Sequence, residues 1–231
     1  VDQTIPRVFH RIWVGPAMPT LFETFGEGWQ RLHPDWKMCL WTEAELPPLV
    51  NQRLYDAASD ICPGFEGQFR SDLARFEILH RYGGVYIDTD FECLKPIDAL
   101  LEDVDAFCAW EIQDEVANNA IMGCVPGHPL LFDLVAGLPD RVSRLAGSRP
   151  AKMTGPHYLT SVLRRHPDVK VFPEEWFYPV RCHQLDRLGH YDQYPDASCL
   201  HWWGNQHRLR KRPLPSVSDI SRGHTESISA D

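Results

Sequence analysis

Ser71–Glu92 reads SDLARFEILHRYGGVYIDTDFE. Phe69, Leu73, Phe76 and Leu79 recur at helical spacing, so Gln68 to Tyr82 is expected to form an amphipathic helix. Gly83-Gly84 supplies a left-handed stop, and Val85-Tyr86-Ile87 then reads as a short buried strand. Asp88 and Asp90 follow that strand directly. Side chains alternate along an extended segment, so the two carboxylates are expected to point the same way. Two oxygen ligands at the carboxyl end of a strand suit Mg²⁺ or Mn²⁺ held against a phosphate.

A second Asp-x-Asp, Asp103-Val104-Asp105, measures how little the pair means alone. It follows a Pro-started helical turn (Pro96 to Leu101) inside an acidic run and reads as a solvated helix end. Working outward, Arg7 to Val14 reads as a first strand stopped by Gly15-Pro16. Thr20 to Leu32 reads as a helix capped by Thr20 and ended at His33-Pro34. Trp36 to Trp41 reads as a second strand. Thr42 and Glu45 have capping-box spacing, opening a helical region toward Ala58 broken by Pro47-Pro48. Strands are expected at Ala106 to Trp110, Ala120 to Val125, Val169 to Phe172 and Cys199 to Trp203. Helices are expected at Pro129 to Leu145 and Pro156 to Arg165. The alternation predicts an α/β fold with a mainly parallel central sheet flanked by helices. One domain is expected over residues 1–212, and the Ser-, Asp- and Pro-rich stretch 213–231 reads as a disordered tail.

With 231 residues, 43% hydrophobic and 24% charged, the chain falls in the soluble globular class. Its net charge of −9 argues against nucleic acid held by phosphate contacts. The run Arg208-Leu209-Arg210-Lys211-Arg212 departs from that balance; it reads as a solvated cluster or as a contact for anionic lipid or a diphosphate. Seven cysteines without C-x-x-C spacing favour a reducing compartment over a disulfide framework or zinc site. No apolar run reaches the ~18 residues of a membrane span. The start has no signal-like segment, although Val1 leaves room for one upstream. The expected location is cytoplasmic, with peripheral membrane contact through Arg208–Arg212.

IPRVFHRIWVG, SDLARFEILHRYGGVYIDTD, HPLL, TGP and HWWG occur in an order that resembles glycosyltransferase family 32, over Ile5 to His207. That resemblance implies a GT-A-like nucleotide-sugar-binding fold, a UDP- or GDP-linked sugar donor, Mn²⁺ (or Mg²⁺), and transfer with retention to a glycan, lipid or protein hydroxyl. It implies that Asp88 contacts donor and metal, that Asp90 ligates the metal, and that the metal stabilises the leaving diphosphate. Asp72 and Arg75, three apart on one helix face, match residues holding donor hydroxyls and diphosphate. Without the family they read as a surface ion pair. Trp13 matches a ring beside the base; one of Asn118 and Asn119 matches an asparagine near the donor sugar. Thr154-Gly155-Pro156 matches an acceptor-side loop. His201 opens the family's C-terminal block and is offered as a further metal ligand. The family's small residue and tryptophan fall at Gln206 and His207, so His207 is offered as the alternative ligand.

Other classes share the pattern. An aspartate-nucleophile phosphatase also places Asp-x-Asp after a strand, but its second aspartate precedes Gly and Thr or Val, where Phe91-Glu92 stand here. A sugar-nucleotide or glycan-binding module would lack the reason to keep both aspartates with Arg75. A metal-dependent nucleotide-sugar hydrolase would use the same residues with water as acceptor.

Overall fold

The structure, a computed structural model, describes residues 4–220. Strand β1 (Val8–Ile12) leads into helix α1 (Thr20–Leu32), which returns the chain to β2 (Lys37–Trp41). The short helices α2 (Gln52–Asp56) and α3 (Ala58–Ile61) precede the long α4 (Glu66–Tyr82), β3 (Gly84–Ile87) and β4 (Phe91–Cys93). The hairpin of β5 (Ala106–Ile112) and β6 (Val116–Cys124) is followed by α5 (Pro129–Arg144), α6 (Pro150–Met153) and α7 (Pro156–Leu163). Last come β7 (Lys170–Phe172), α8 (Glu174–Phe177), β8 (Cys199–His201) and α9 (Gly204–Leu209).

Six strands form one sheet in the order β2-β1-β3-β6-β5-β7. β1 is parallel to β2 and β3, and β5 is parallel to β7; β6 alone among them runs antiparallel to both its neighbours. The expected mainly parallel α/β sheet is therefore present. One face packs on α4, α5 and α7 through Phe69, Leu73, Phe76, Leu79, Leu134 and Leu159. The other packs on α1 and α8 through Trp29, Phe107, Phe172 and Phe177. From β1 the chain adds β2 on one side and then β3 on the other, so a crevice opens where β1 and β3 part at their carboxyl ends.

Gly83-Gly84 acts as expected. Both have positive φ (63° and 89°). A Cβ on Gly84 would lie 2.6 Å from the Val8 side chain and 2.7 Å from its carbonyl, so glycine also permits the close approach of the start of β3 to β1.

Several expectations change. Pro19, not Thr20, is the N-cap of α1: its extended ψ of 136° already breaks the helix, and no side chain caps it. Thr42 and Glu45 form their capping-box bond, but over a single turn, because Pro47-Pro48 deny the next turn its donors. Pro96 to Leu101 tightens to a 3₁₀ turn over Asp98–Leu101. β6 begins at Val116, so Asn118 and Asn119 lie within the strand rather than before it. β4 was not foreseen; it pairs antiparallel with β8, and both have only three residues. Residues 213–220 are packed rather than disordered: Leu214, Val217 and Ile220 join a cluster with Leu21, Phe25 and Trp202. Val217 and Ile220 also wall a cavity of about 310 Å³ against α1. Residues 221–231 of the expected tail lie outside the described residues. Asp103 and Asp105 are exposed, as a solvated acidic turn requires.

Candidate active site

The Asp88–Asp90 segment leaves the sheet in a turn. Asp88 N–H still donates to the Ala120 carbonyl of β6 (2.7 Å), and Phe91 N–H closes back on the Asp88 carbonyl (3.1 Å). The carboxylates converge because of this turn, not through the alternation of an extended strand. Asp88, Asp90 and His201 bring one ligand atom each within 4.8 Å of one another.

Each member is held from behind. Asp88 Oδ1 accepts from the Tyr86 hydroxyl (2.5 Å) and pairs with Arg75 Nη2 (3.0 Å). Its side chain is 25% exposed, and both of these contacts are to Oδ1. Asp90 Oδ1 lies 3.2 Å from His201 Nε2, and its Oδ2 accepts from Gly204 N–H (2.7 Å). A Cβ on Gly204 would meet Phe22 at 2.8 Å and Asp90 Oδ2 at 3.2 Å, so glycine lets the backbone come this close. Trp203 reaches this turn in the left-handed region (φ 54°), anchored by its indole N–H to the Val180 carbonyl (2.8 Å). The His201 ring is boxed by Phe91, stacked at 5.0 Å, and by Trp203 at 4.2 Å.

Electrostatics divides the two aspartates. Burial opposes charge on Asp90, but His201 and the Gly204 N–H outweigh it and lower its pKa. Burial raises the pKa of Asp88, and the neighbouring Asp90 charge adds to that against the pull of Arg75. Burial also opposes the His201 cation, yet Asp90 and Asp88 hold its pKa above the usual value.

Arg75 is sequestered at 3% exposure, not on the surface. Its guanidinium reaches Asp88, Asp72 Oδ1 (3.2 Å) and the Asn119 carbonyl (2.7 Å), and lies 4.4 Å over the Tyr86 ring. Asp72 is equally buried. Besides Arg75, its Oδ1 accepts from Asn119 Nδ2 (3.0 Å) and its Oδ2 from the Thr154 hydroxyl (2.8 Å). The two partners shift for different reasons. Burial pushes the Asp72 carboxyl up to about 6, because it has only a share of one cation. Arg75, facing two carboxylates, is held charged with its pKa raised despite burial.

The structure separates residues that the pattern left together. Asn119 joins the Asp72–Arg75–Asp88 network, whereas Asn118 turns to the other side and donates to Glu111 (2.7 Å). His207 stands apart from the three-ligand cluster: its Nδ1 binds the Pro213 carbonyl (3.2 Å), and its buried Nε2 has no partner among the described residues. Thr154 is fully buried against Asp72. Trp13 stands at the end of β1, its indole N–H on the Pro16 carbonyl (2.5 Å) and its ring edge-on to Phe22.

Two residues were missed. Arg11, 4% exposed, donates through Nη2 to the carbonyls of Thr89 (2.8 Å) and Phe22 (2.5 Å), tying α1 to the turn between the aspartates. Burial lowers its pKa to about 10, with Tyr86, Asp90 and Asp88 opposing. The signal was an arginine inside the apolar strand VFHRIWV. Glu111, half-buried near the end of β5, carries charge felt by His201 and Tyr178. No local pattern marked it.

Residues 19–120 match the family model described as a glycosyltransferase sugar-binding region containing a DXD motif, which spans α1 to β6 and includes Asp88-Thr89-Asp90. That stretch of the chain is similar to the sugar-binding region of DXD glycosyltransferases. It is 27% identical over 209 residues to inositol phosphoceramide mannosyltransferase 3 of Schizosaccharomyces pombe, covering 84% of this chain and 55% of that protein. With inositol phosphoceramide mannosyltransferase 1 of the same yeast it is 29% identical over 182 residues, covering 74% of this chain and 56% of the other. The chain thus spans about half the length of these curated relatives. Among solved structures, the PaToxG glycosyltransferase aligns with a TM-score of 0.60 at 14% identity, over 96% of this chain and 86% of that one. That likeness is one of fold, the GT-A fold of glycosyltransferases. Among the described residues no helix is long and apolar enough to cross a membrane.

Proposed function

We propose that this chain is the catalytic domain of a metal-dependent glycosyltransferase. It moves a hexosyl unit from a nucleoside diphosphate to an acceptor hydroxyl with retention of configuration. The observation that carries the reading is the convergence of Asp88, Asp90 and His201 at the carboxyl end of β3, with the Asp88 side chain 25% exposed. Two carboxylates and an imidazole are a donor set for Mn²⁺ or Mg²⁺. The 3.2 Å between Asp90 Oδ1 and His201 Nε2 fits adjacent ligands of one ion, which at bonds of ~2.1 Å stand ~3 Å apart. A divalent ion held there would neutralise charge on the leaving diphosphate.

The remaining work falls to the chain. Arg75 and Tyr86 fix Asp88, while Gly204 and the boxed His201 fix Asp90. Asp72, Asn119 and Thr154 hold Arg75 in place, a positioning role rather than donor contact. Trp13 stands where β1 opens the crevice and is assigned to the base of the nucleotide. Glu111, oriented by Asn118, is assigned to a sugar or acceptor hydroxyl. In a same-face displacement the acceptor proton would pass to the departing phosphate oxygen. Retention rests on the family resemblance, and the mannosyl donor rests on the names of the relatives.

The test is a panel of UDP- and GDP-sugars with Mn²⁺, Mg²⁺ or chelator, read by thermal shift and by donor hydrolysis. A donor present at about 100 times its Kd adds about 2.7 kcal/mol. At about 2–4 °C per kcal/mol for a chain of this size, the Tm rises by about 5–10 °C. GDP-mannose with Mn²⁺ is the expected responder, and Asp90→Asn is expected to abolish both signals while folding normally. Metal-independent turnover, or wild-type turnover in Asp90→Asn, would sink the assignment.

A further inference from the structure

The mouth of the cleft carries positive charge in a protein whose net charge is −9. Arg208, Arg210, Lys211 and Arg212 are all exposed, and among the described residues none of them forms an ion pair. The run is placed beside the carboxylate cluster by its contacts. Arg208 Nη2 donates to the Gly64 carbonyl (3.4 Å), in the loop before α4. Beside that loop, exposed Arg149 lies 5.4 Å over the Phe65 ring. Arg212 N–H donates to the His207 carbonyl (2.9 Å), and α9, which carries His207, begins at Gly204, whose N–H is on Asp90 (2.7 Å), which sets the run next to the carboxylate cluster. The Gly64 loop stands at the carboxyl ends of the strands, since a Cβ on Gly67 would lie 3.3 Å from the Val14 carbonyl. Glu66 is the acid that feels Arg208, and it is already bonded to the Gly64 N–H (2.7 Å).

Unpaired, exposed cations concentrated on one rim of an acidic protein gain little from the protein itself. They are exposed to solvent beside the carboxylate cluster. We propose that Arg208, Arg210, Lys211 and Arg212, with Arg149, form a docking rim for an anionic phospholipid surface, so that the cleft opens toward an acceptor presented at that surface. The metal cluster, which takes the donor diphosphate, lies inside this rim. The placement of the acceptor rests on the glycosyltransferase reading; the membrane contact does not.

The test uses the 231-residue chain and vesicles of phosphatidylcholine with and without phosphatidylinositol, read by co-sedimentation across a salt series. Wild type is expected to bind only the phosphatidylinositol vesicles, and less as salt rises. Each basic residue near an anionic surface is worth about fivefold in binding. Arg208→Gln/Arg210→Gln/Lys211→Gln/Arg212→Gln is therefore expected to bind several hundredfold more weakly, while its thermal shift with Mn²⁺ and UDP or GDP stays as in wild type. Equal binding to both vesicle types, no binding by wild type at low salt, or undiminished binding by the variant each overturns the proposal. Loss of the nucleotide shift in the variant overturns it too, because the run would then belong to the donor site. The salt series on wild type needs no substitution and stands whatever the variant's folding. If neither protein responds to nucleotide with metal while vesicle binding discriminates as expected, the membrane rim stands and the glycosyltransferase reading falls.

Discussion

Replacing Arg75 with methionine keeps the aliphatic packing but leaves Asp72 and Asp88 without their shared cation. Breaking a buried pair by removing one partner costs about 3–5 kcal/mol. Here the cost depends on pH in a way that geometry sets. In the native protein the Asp72 pKa is raised from 3.8 to about 6, burial being the largest cause and Arg75 the largest opposing one. A folded-state pKa above the unfolded value means a contribution fully present below pH 3.8 and lost as pH rises through about 6. A rise of that size corresponds to ~3 kcal/mol. Without Arg75 the pull toward ionisation disappears, so the folded pKa climbs further and the loss continues to higher pH. Wild type already bears ~3 kcal/mol of the cost of keeping Asp72 protonated at pH 8 and nearly all of it at pH 5, so the penalty that substitution adds at Asp72 cannot exceed ~3 kcal/mol at pH 8 and is close to zero at pH 5. Urea denaturation of Arg75→Met is therefore expected to show a large deficit at pH 8 that shrinks by about half or more at pH 5. Adding Asp72→Asn should cut the deficit at pH 8, with a coupling of ~1–3 kcal/mol between the two sites. A loss below ~1 kcal/mol, the same at both pH values, is what a surface pair would give and would refute the reasoning.

Three further outcomes follow from the same geometry. A Cβ at position 26 would collide with the Arg11 guanidinium, so Gly26→Ala should detach it from the Thr89 carbonyl. It should then lower stability by ~1–3 kcal/mol and weaken Mn²⁺ binding, read by melting and by calorimetry; wild-type values in both would remove Arg11 from the site. Burial lowers the His10 pKa from 6.5 to about 4, its ring held between the Gly83 carbonyl and the Trp41 indole. A depressed pKa means stability present above pH 6.5 and lost progressively toward pH 4, by ~3 kcal/mol in all. His10→Gln should flatten that part of the profile of denaturation midpoint against pH, and an unchanged slope would assign the acid sensitivity elsewhere. Glu111→Gln should reduce kcat/KM by about tenfold or more through one charge-assisted hydrogen bond, with Tm and Mn²⁺ affinity unchanged. Wild-type kcat/KM would exclude Glu111 from substrate contact.

The segment around Ser71–Glu92 was legible because its information is local. Helical spacing, a glycine stop and a strand are read within a few residues of one another, and the structure places all three. The same locality exposed Asp103-Val104-Asp105 as a surface turn. Local pattern also misjudged details where a neighbour in sequence won over propensity: Pro19 displaced Thr20 as a cap, and Pro47-Pro48 cut short the turn after Thr42. It misread the tail from 213 to 220 because three apolar side chains among polar ones suffice to pack against α1 and its neighbours.

Sequence alone thus determined the order of helix, stop, strand and aspartates, the α/β class, and the residue types that converge. Tertiary structure decided the rest. Asn118 and Asn119 are adjacent in the chain, and only the strand's alternation within a formed sheet sends one to Glu111 and the other to Asp72. Asp72 and Arg75 read by pattern alone as a surface pair, and only the packing of α4 against α6 and β6 buried them. His201 rather than His207 meets Asp90 across 111 residues, through a three-residue pairing of β4 with β8 too short to leave a periodic signal. Arg11 and Glu111 gained their neighbours in the same way, from elements far apart in the chain. Periodicity acts over a turn or a pleat, whereas a ligand cluster forms where distant segments are forced together by packing.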